Sequence, residues 1–355
     1  MTPQFHRLVV SEVRRECAGA VSLRLDVPAE LAKEYAFVQG QHVALRATLD
    51  GEELRRNYSI CSGVDDGELR IAIREVPGGR FSSWAVRTLR AGEPIDVLTP
   101  DGRFHTPLDP GQRKHYVAFV AGSGITPVMS LMKTTLRREA RSRFTLVYGN
   151  RQVATSLFLD EIGDLKNRYL DRLVVHTVFS RERQDVDLFN GRLDGDRARA
   201  ILAALIAPAS IDEVFVCGPG GMIDEVEAAL LGEGVPAPRV HVERFGVPAE
   251  RFPPEPERTQ SARAEVVVES DGVRRPIEVL ASDESILDAA LRSGLDLPFS
   301  CKGGMCCTCR AKVLEGEVRM RRNYSLDAAE VRAGFVLTCQ AQPMTPRVVL
   351  SYDER

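Results

Sequence analysis

Pro298-Phe299-Ser300-Cys301-Lys302-Gly303-Gly304-Met305-Cys306-Cys307-Thr308-Cys309 stands near the carboxyl end of the chain, and Cys339 follows after 29 further residues. Cys301, Cys306, Cys309 and Cys339 fall into the order C-x4-C-x2-C…C, the spacing by which plant-type 2Fe–2S clusters are held. Three thiolates on so short a loop wrap round a cluster only if the backbone turns tightly and offers its N–H groups to the sulfurs, which Gly303 and Gly304 permit. Zinc also takes four thiolates, but its usual C-x2-C pairs are not the arrangement here. Crowding of this kind is tighter than a disulfide framework packs. Cys307 in place of Cys306 would leave x5 and x1 spacings that match no cluster pattern, so Cys307 is read as a bystander.

Outward from this loop the chain divides. Gly246–Ala262, GVPAERFPPEPERTQSA, sets Pro248, Pro253, Pro254 and Pro256 among charged and small residues without apolar periodicity, as an exposed semi-rigid linker does. The 93 residues after it hold all four crowded cysteines and Cys339. There, strand-like Ala264–Glu269 and Ile277–Leu280 precede a helix with Ser282 as expected N-cap, Ile286, Leu287, Ala290 and Leu291 on one face, and Gly294 as its stop. Near the amino end, Val43, Leu45 and Ala47 alternate with Ala44 and Arg46, and Leu69, Ile71 and Ile73 with Arg70, Ala72 and Arg74; this period of two predicts an antiparallel barrel. From His115 to Phe245 the strands Tyr116–Ala121, Thr145–Tyr148, Leu173–Phe179 and Glu213–Cys217 alternate with helical segments, which predicts a parallel α/β sheet. The expected divisions are a barrel at 1–108, an α/β domain at 109–247, a linker at 248–262 and a cysteine-rich module at 263–355.

A chain of 355 residues is longer than one hydrophobic core usually serves, in keeping with several domains. With 47 Lys+Arg against 50 Asp+Glu, the net charge of −3 offers no broad basic face for nucleic acid. No apolar run nears the roughly 20 residues that cross a bilayer, and Met1–Arg15 has no uninterrupted signal-peptide core, so a cytoplasmic location is expected. No catalytic triad or carboxylate pair competes with the redox signal of the cysteines.

The remaining motifs gain weight from one another. Arg56-Asn57-Tyr58-Ser59 alone is an ordinary half-buried strand; Gly78-Gly79-Arg80-Phe81-Ser82, some twenty residues on, adds a glycine turn opening a helix whose first N–H groups can hold a phosphate. Gly122-Ser123-Gly124-Ile125-Thr126-Pro127 follows a strand and opens a helix, departing from G-x-G-x-x-G by its proline. Tyr148-Gly149-Asn150-Arg151 and Cys217-Gly218-Pro219-Gly220-Gly221-Met222 also stand at strand carboxyl ends, where open α/β sheets bind ligands.

This order of domains and motifs resembles the ferredoxin–NADP reductase superfamily over essentially the whole chain, in the branch that carries its own ferredoxin. Gly51–Ser59 (GEELRRNYS), His241–Phe245 (HVERF) and Asn323–Leu326 (NYSL) are similar to the reductase components that serve bacterial phenylacetyl-CoA epoxidases. The resemblance implies an FAD-binding barrel, an α/β NADP domain and a C-terminal β-grasp ferredoxin. It implies that Arg56 pairs with the flavin pyrophosphate, Tyr58 packs on the isoalloxazine, Ser59 donates to flavin N5, and Gly78, Gly79 and Ser82 hold the pyrophosphate of FAD rather than FMN. Gly122, Gly124, Thr126 and Gly218 would line the nucleotide site with Cys217 beside the nicotinamide, although a free cysteine is more often a small buried apolar residue. Ser180 and Arg181 would grip the 2′-phosphate of NADPH, with Arg151 or Arg183 as alternatives. Glu243 would relay a proton at N5 and Phe245 cover a ring face; the plainer readings are an ion pair with Arg244 and an anchor for the linker.

A nicotinamide gives two electrons as one hydride, whereas a 2Fe–2S cluster takes one at a time, and flavin exchanges both ways. The acceptor implied by the resemblance is a carboxylate-bridged diiron oxygenase that epoxidises phenylacetyl-CoA. Rieske dioxygenases, steroid hydroxylases and acyl desaturases are served by reductases with the same motifs, and a redox-sensing binding module is the alternative of another class.

Overall fold

The computed structural model describes residues 3–246 and 263–354; the expected linker at 248–262 lies outside them. Two compact units account for the described residues, one formed by 6–54 and 58–245, the other by 263–354 together with 3–5, 55–57 and 246.

The first unit, with Phe5 of its first strand and 55–57 of its fourth grouped in the other, begins with β1 (Phe5–Cys17), β2 (Ala20–Asp26), β3 (His42–Leu49), β4 (Glu52–Ser59), β5 (Leu69–Arg74) and β6 (Pro94–Leu98), joined in the order β4-β3-β6-β1-β2-β5. An antiparallel bridge from Ile60 to Ile71 and a hydrogen bond from Cys61 N to Arg70 O (2.8 Å) bring the β4 end of the sheet back to β5, so the sheet closes as a barrel. Helix α1 (Arg80–Arg87) buries Phe81 and Ala85 in the barrel core beside Leu8, Leu23, Leu45 and Ile71. The alternation expected for β5 is broken, because Arg70 and Ala72 are buried as well. Ala72 belongs to a second core, and Arg70 is held by Glu12 (2.8 Å), Glu68 (2.9 Å) and Ser22 Oγ (3.1 Å), which satisfies a guanidinium removed from water.

That second core is shared with the α/β half. Strands β7 (His115–Ala121), β8 (Arg143–Asn150), β9 (Leu173–Phe179), β10 (Glu213–Cys217) and β11 (Val240–Glu243) form an all-parallel sheet in the order β11-β10-β7-β8-β9. Helices α2 (Ile125–Arg138) and α3 (Leu159–Arg168) cover one face, α4 (Gly195–Leu205) and α5 (Gly220–Gly232) the other. On the α2 side Ala20, Cys61, Ala72 and Phe104 of the barrel half join Met129, Met132 and Phe215 in one hydrophobic cluster, and Phe104 meets Phe215 edge-on at 5.3 Å between ring centroids. Polar bonds tie the same junction, from Arg74 Nη2 to Thr155 O (2.7 Å) and from Arg138 to both oxygens of Asp65. Because β7 leads to β8 on one side and neighbours β10 on the other, the sheet reverses its winding between β7 and β10, and a crevice opens outside their carboxyl ends.

The second unit contains β12 (Arg263–Ser270), β13 (Val273–Leu280), β14 (Arg310–Glu315), β15 (Val318–Met320), β16 (Phe335–Leu337), β17 (Ala341–Pro343) and β18 (Arg347–Ser351). Five strands form a mixed sheet, β13-β12-β18-β14-β16, in which β12 and β18 run parallel, and β15 pairs with β17. Helix α6 (Ile286–Arg292) buries Ile286, Leu287, Ala289 and Ala290 with Val266, Ala311 and Leu350, giving the β-grasp arrangement; α7 (Ala328–Arg332) is a short capped turn. The N-cap of α6 is Ser285, not Ser282. Asp283 N bonds to Leu280 O to make a turn through Ser282, and the extended backbone at Ser285 lets its Oγ accept from Asp288 N at 3.1 Å. Gly294 follows the helix at φ +80°, as a stop residue should. Among the described residues no helix is long and apolar enough to cross a membrane.

Candidate functional site

The crevice at the reversal of the parallel sheet is built from backbone first. The turn Gly122–Gly124 leaves β7 and passes so close to the end of β10 that a Cβ on Gly124 would stand 2.2 Å from Cys217 O. Only glycine fits there, and the following Pro127 lies in the first turn of α2, where its missing N–H breaks no helical bond. Thr126 Oγ1 donates to Ser123 O at 2.9 Å, so its hydroxyl holds the turn.

Cys217 pairs in register with Val120 on one side and Glu243 on the other. Glu243 in turn accepts a hydrogen bond from Ser59 Oγ at 3.4 Å, joining the last residue of β4 to the last of β11 across 184 positions of sequence. Desolvation pushes the Glu243 carboxyl up to about 8, against the smaller opposing effect of Ser59. Burial, with the neighbouring Glu243, drives the Cys217 thiol well above its ordinary range, so it remains a protonated, unreactive sulfhydryl. The ion pair expected between Glu243 and Arg244 is not formed; Arg244 binds Asp224 at 2.7 Å. Phe245 stands exposed just beyond β11.

Along the rim, the ends of β8 and β9 are laced together by Ser180 N to Asn150 O (3.0 Å) and Arg181 N to Arg151 O (2.8 Å). Arg151, Ser180 and Arg181 are thereby exposed side by side, and among the described residues no carboxylate pairs with either guanidinium. Glu182 is occupied by Val153 N at 2.8 Å. Asn150, whose side chain reaches the Tyr148 hydroxyl, is a residue that the sequence run Tyr148–Arg151 contained but did not single out.

On the barrel side, Arg56 is exposed and Tyr58 is half-buried against Phe81, 5.9 Å between centroids. Gly78 takes φ +74° and Gly79 caps α1 without a side chain, leaving first-turn N–H groups open to an anion. Ser82 Oγ accepts from Val76 N (3.1 Å) and donates to Gly79 O (3.2 Å), so its hydroxyl shapes the turn and is not spare for a ligand.

In the second unit, the four thiols predicted as ligands come together as two pairs, Cys301 with Cys306 and Cys309 with Cys339. The Cys301 thiol is pulled down to about 6 by Cys306 and by the N–H groups of Gly303 and Met305, with Gly303 N 3.3 Å from its sulfur. Cys339 is lowered by Cys309, Gln340 and the N–H of Gly304, while Cys306 and Cys309 are driven up. Positive φ falls on Lys302 (+48°), Gly304 (+78°) and Cys307 (+57°), not on Gly303. Among the described residues no three His, Cys, Asp or Glu side chains surround one point suited to a single ion. Two thiol pairs with inward N–H groups suit a two-iron cluster, which takes two thiolates at each iron, and the buried Ser300 Oγ, with no protein partner, is a further donor beside Cys301. Cys307 instead packs within the hydrophobic core of this unit, and no cysteine of the chain is in a disulfide. Gln340, against Cys339, carries no signal in the sequence that would have marked it.

Three family models cover this architecture: an oxidoreductase FAD-binding domain at residues 7–106, an oxidoreductase NAD-binding domain at 119–228 and a 2Fe-2S iron-sulfur cluster binding domain at 268–344. The chain is 45% identical over 351 residues to a component of the 1,2-phenylacetyl-CoA epoxidase of Escherichia coli (strain K12), covering 99% of this chain and 98% of that one. It is 34% identical over 355 residues to the ferredoxin reductase component of 3-ketosteroid-9-alpha-monooxygenase from Rhodococcus rhodochrous, covering 97% and 96%. In fold it resembles phthalate dioxygenase reductase, with a TM-score of 0.60 at 23% identity over 98% of both chains.

Two substitutions separate the neighbouring cysteines: Cys306→Ser loses the visible absorption of the cluster and Cys307→Ser keeps it, and the reverse result rejects the ligand assignment. For Glu243 the sign follows from the raised carboxyl, which is protonated below about 8 and ionised above it. A turnover step that uses the protonated form falls off through that pH in the native chain and stays level in Glu243→Gln; kcat/KM profiles for ferricyanide reduction that coincide for the two proteins remove the role.

Proposed function

We propose that this chain, which belongs to the family of reductase components that join FAD-, NAD- and 2Fe-2S-binding domains to serve oxygenases, carries electrons from NADPH to the carboxylate-bridged diiron oxygenase of a phenylacetyl-CoA epoxidase. The observation that carries the choice of partner is the 45% identity to an epoxidase component from end to end, rather than through one domain alone. The chain is an oxidoreductase. Its cofactors supply the exchange between a paired-electron donor and a one-electron acceptor.

What the polypeptide contributes is placement and charge. Arg56 and the open first turn of α1 offer a cation and N–H donors to the pyrophosphate of FAD, Tyr58 offers a ring, and Ser59 presents a hydroxyl tied to Glu243. Gly122, Gly124 and Gly218 line the crevice with backbone, at Gly124 and Gly218 where a Cβ would intrude, and Cys217 fills its floor with a neutral thiol. Glu243, its carboxyl raised to about 8, holds a proton at the same place below that pH. Cys301, Cys306, Cys309 and Cys339 hold the cluster.

NADPH is the donor favoured by the rim. Arg151 and Arg181, with the Ser180 hydroxyl, make a cationic corner suited to a 2′-phosphate, and the nearby Glu182 is already engaged by a backbone N–H. Eight unbridged cysteines and a reduced nucleotide as substrate fit the cytoplasm.

The purified protein, combined with the diiron oxygenase proteins of a phenylacetyl-CoA epoxidase, is expected to consume NADPH in step with phenylacetyl-CoA. Consumption that ignores the thioester rejects this partner, and coupling to a steroid hydroxylase, Rieske dioxygenase or acyl desaturase instead would assign one of those. Arg181→Gln should raise KM for NADPH about ten- to a hundredfold, the worth of a charge-assisted hydrogen bond, with KM for NADH little changed; equal kcat/KM for the two nucleotides in the native chain rejects the 2′-phosphate role.

A further inference from the structure

Gln340 follows the fourth thiol directly and is 2% exposed. Its backbone is fixed at both ends, N–H to Leu337 O at 2.8 Å and carbonyl from Arg321 N at 2.9 Å. The side chain is fixed more tightly still. Its Nε2 donates to Lys302 O at 2.7 Å and to Cys339 O at 2.9 Å, and lies 3.6 Å from Cys339 Sγ. All three neighbours are acceptors, so the nitrogen and oxygen of this amide are assigned by their surroundings and not by convention. Oε1, by contrast, is buried with no protein partner.

Such an arrangement is costly as simple packing. An unpaired buried carbonyl loses its hydration without recompense, a penalty that a methionine of similar length would avoid. The return lies at the other end of the amide. Lys302 sits in the left-handed region at φ +48°, a conformation that a side-chain-bearing residue adopts only when its surroundings hold it there. The bond to Lys302 O supplies that hold, and it crosses from the loop bearing Cys301 and Cys306 to the segment bearing Cys339. Gly304 makes room for the brace, since a Cβ there would stand 3.1 Å from Gln340 Cγ.

We propose that Gln340 is a positioning residue for the electron-accepting centre: its amide clamps the ligand loop to the fourth ligand, and the N–H it gives to Cys339 O is shared with the Cys339 sulfur, raising the potential at which the centre takes up an electron. Accepting an electron adds negative charge to the sulfurs, and a donor beside a thiolate favours the more negative state. The inference rests on the assignment of the four cysteines to a 2Fe–2S cluster.

The test is a redox titration of the complete holoprotein followed by the electron paramagnetic resonance signal of the reduced centre. Gln340→Met keeps length and removes the donor; Gln340→Glu keeps shape and replaces the donor with an acceptor. Each is expected to shift the one-electron equilibrium about tenfold toward the oxidised form, a fall of about 59 mV, with flavin content unchanged. Potentials equal to the native value in variants that retain a full cluster overturn the proposal. Should both variants lose the cluster, the native protein labelled with nitrogen-15 in its glutamine side chains gives the second measurement. Pulsed resonance of the reduced centre then shows coupling to a side-chain amide nitrogen, and absence of that coupling overturns the proposal equally. A native preparation with no 2Fe–2S signal at all would instead remove the cluster assignment on which it rests.

Discussion

The approach of Gly124 to the carbonyl of Cys217, with no space for even one further carbon, is the contact on which the reactive crevice depends. It brings the turn after β7 against the end of β10 where the parallel sheet reverses. With those two strand ends abutting, the register of β10 and β11 sets Glu243 beside Cys217, and the closed barrel brings Ser59 within reach of the same carboxyl. A bulkier residue at 124 would have to part the strand ends, and every later relation in the crevice would shift with them. Desolvation of Glu243 follows from this closeness too, so the electrostatics of the site are a product of backbone packing rather than of a nearby charge.

Much of the architecture was legible in the sequence because its signals are local. Cluster ligation needs particular residue types at particular short spacings, so Cys301, Cys306 and Cys309 declare themselves, and the bystander Cys307 is excluded by arithmetic. Strand periodicity and glycine turns are local in the same sense, and the barrel and the parallel sheet follow from them, whereas the reversal between β7 and β10 rests on the strand order. What was hidden depends on distant partners. No pattern in the chain announces that Ser59 meets Glu243, nor that Arg244 prefers Asp224.

The departures have the same origin. Strand β5 looks half-buried by its alternation, yet the α/β half covers its second face, and Arg70 is admitted there by Glu12 and Glu68. Ser82 reads as a phosphate contact but spends its hydroxyl on its own turn, leaving the backbone to receive an anion. Ser282 was the wrong choice of helix start: Ser285 directly precedes Ile286 and has Asp288 three residues on, while Ser282 lies within the turn from Leu280 to Asp283. Gln340 is invisible for a further reason: glutamine carries no propensity that marks it as a brace, and only the fold brings Lys302 O to its amide.

The hydrophobic cluster that runs from Ala20, Ala72 and Phe104 into Met129 and Phe215 leaves no seam between the barrel and the parallel sheet. A crevice walled by one shared interior is a mould and not a jaw: to part its walls would strip that interior of its packing. A hydride donor and acceptor brought together there would find their separation already cut to size, which suits a reaction whose rate falls steeply when the reacting atoms are misplaced by an ångström.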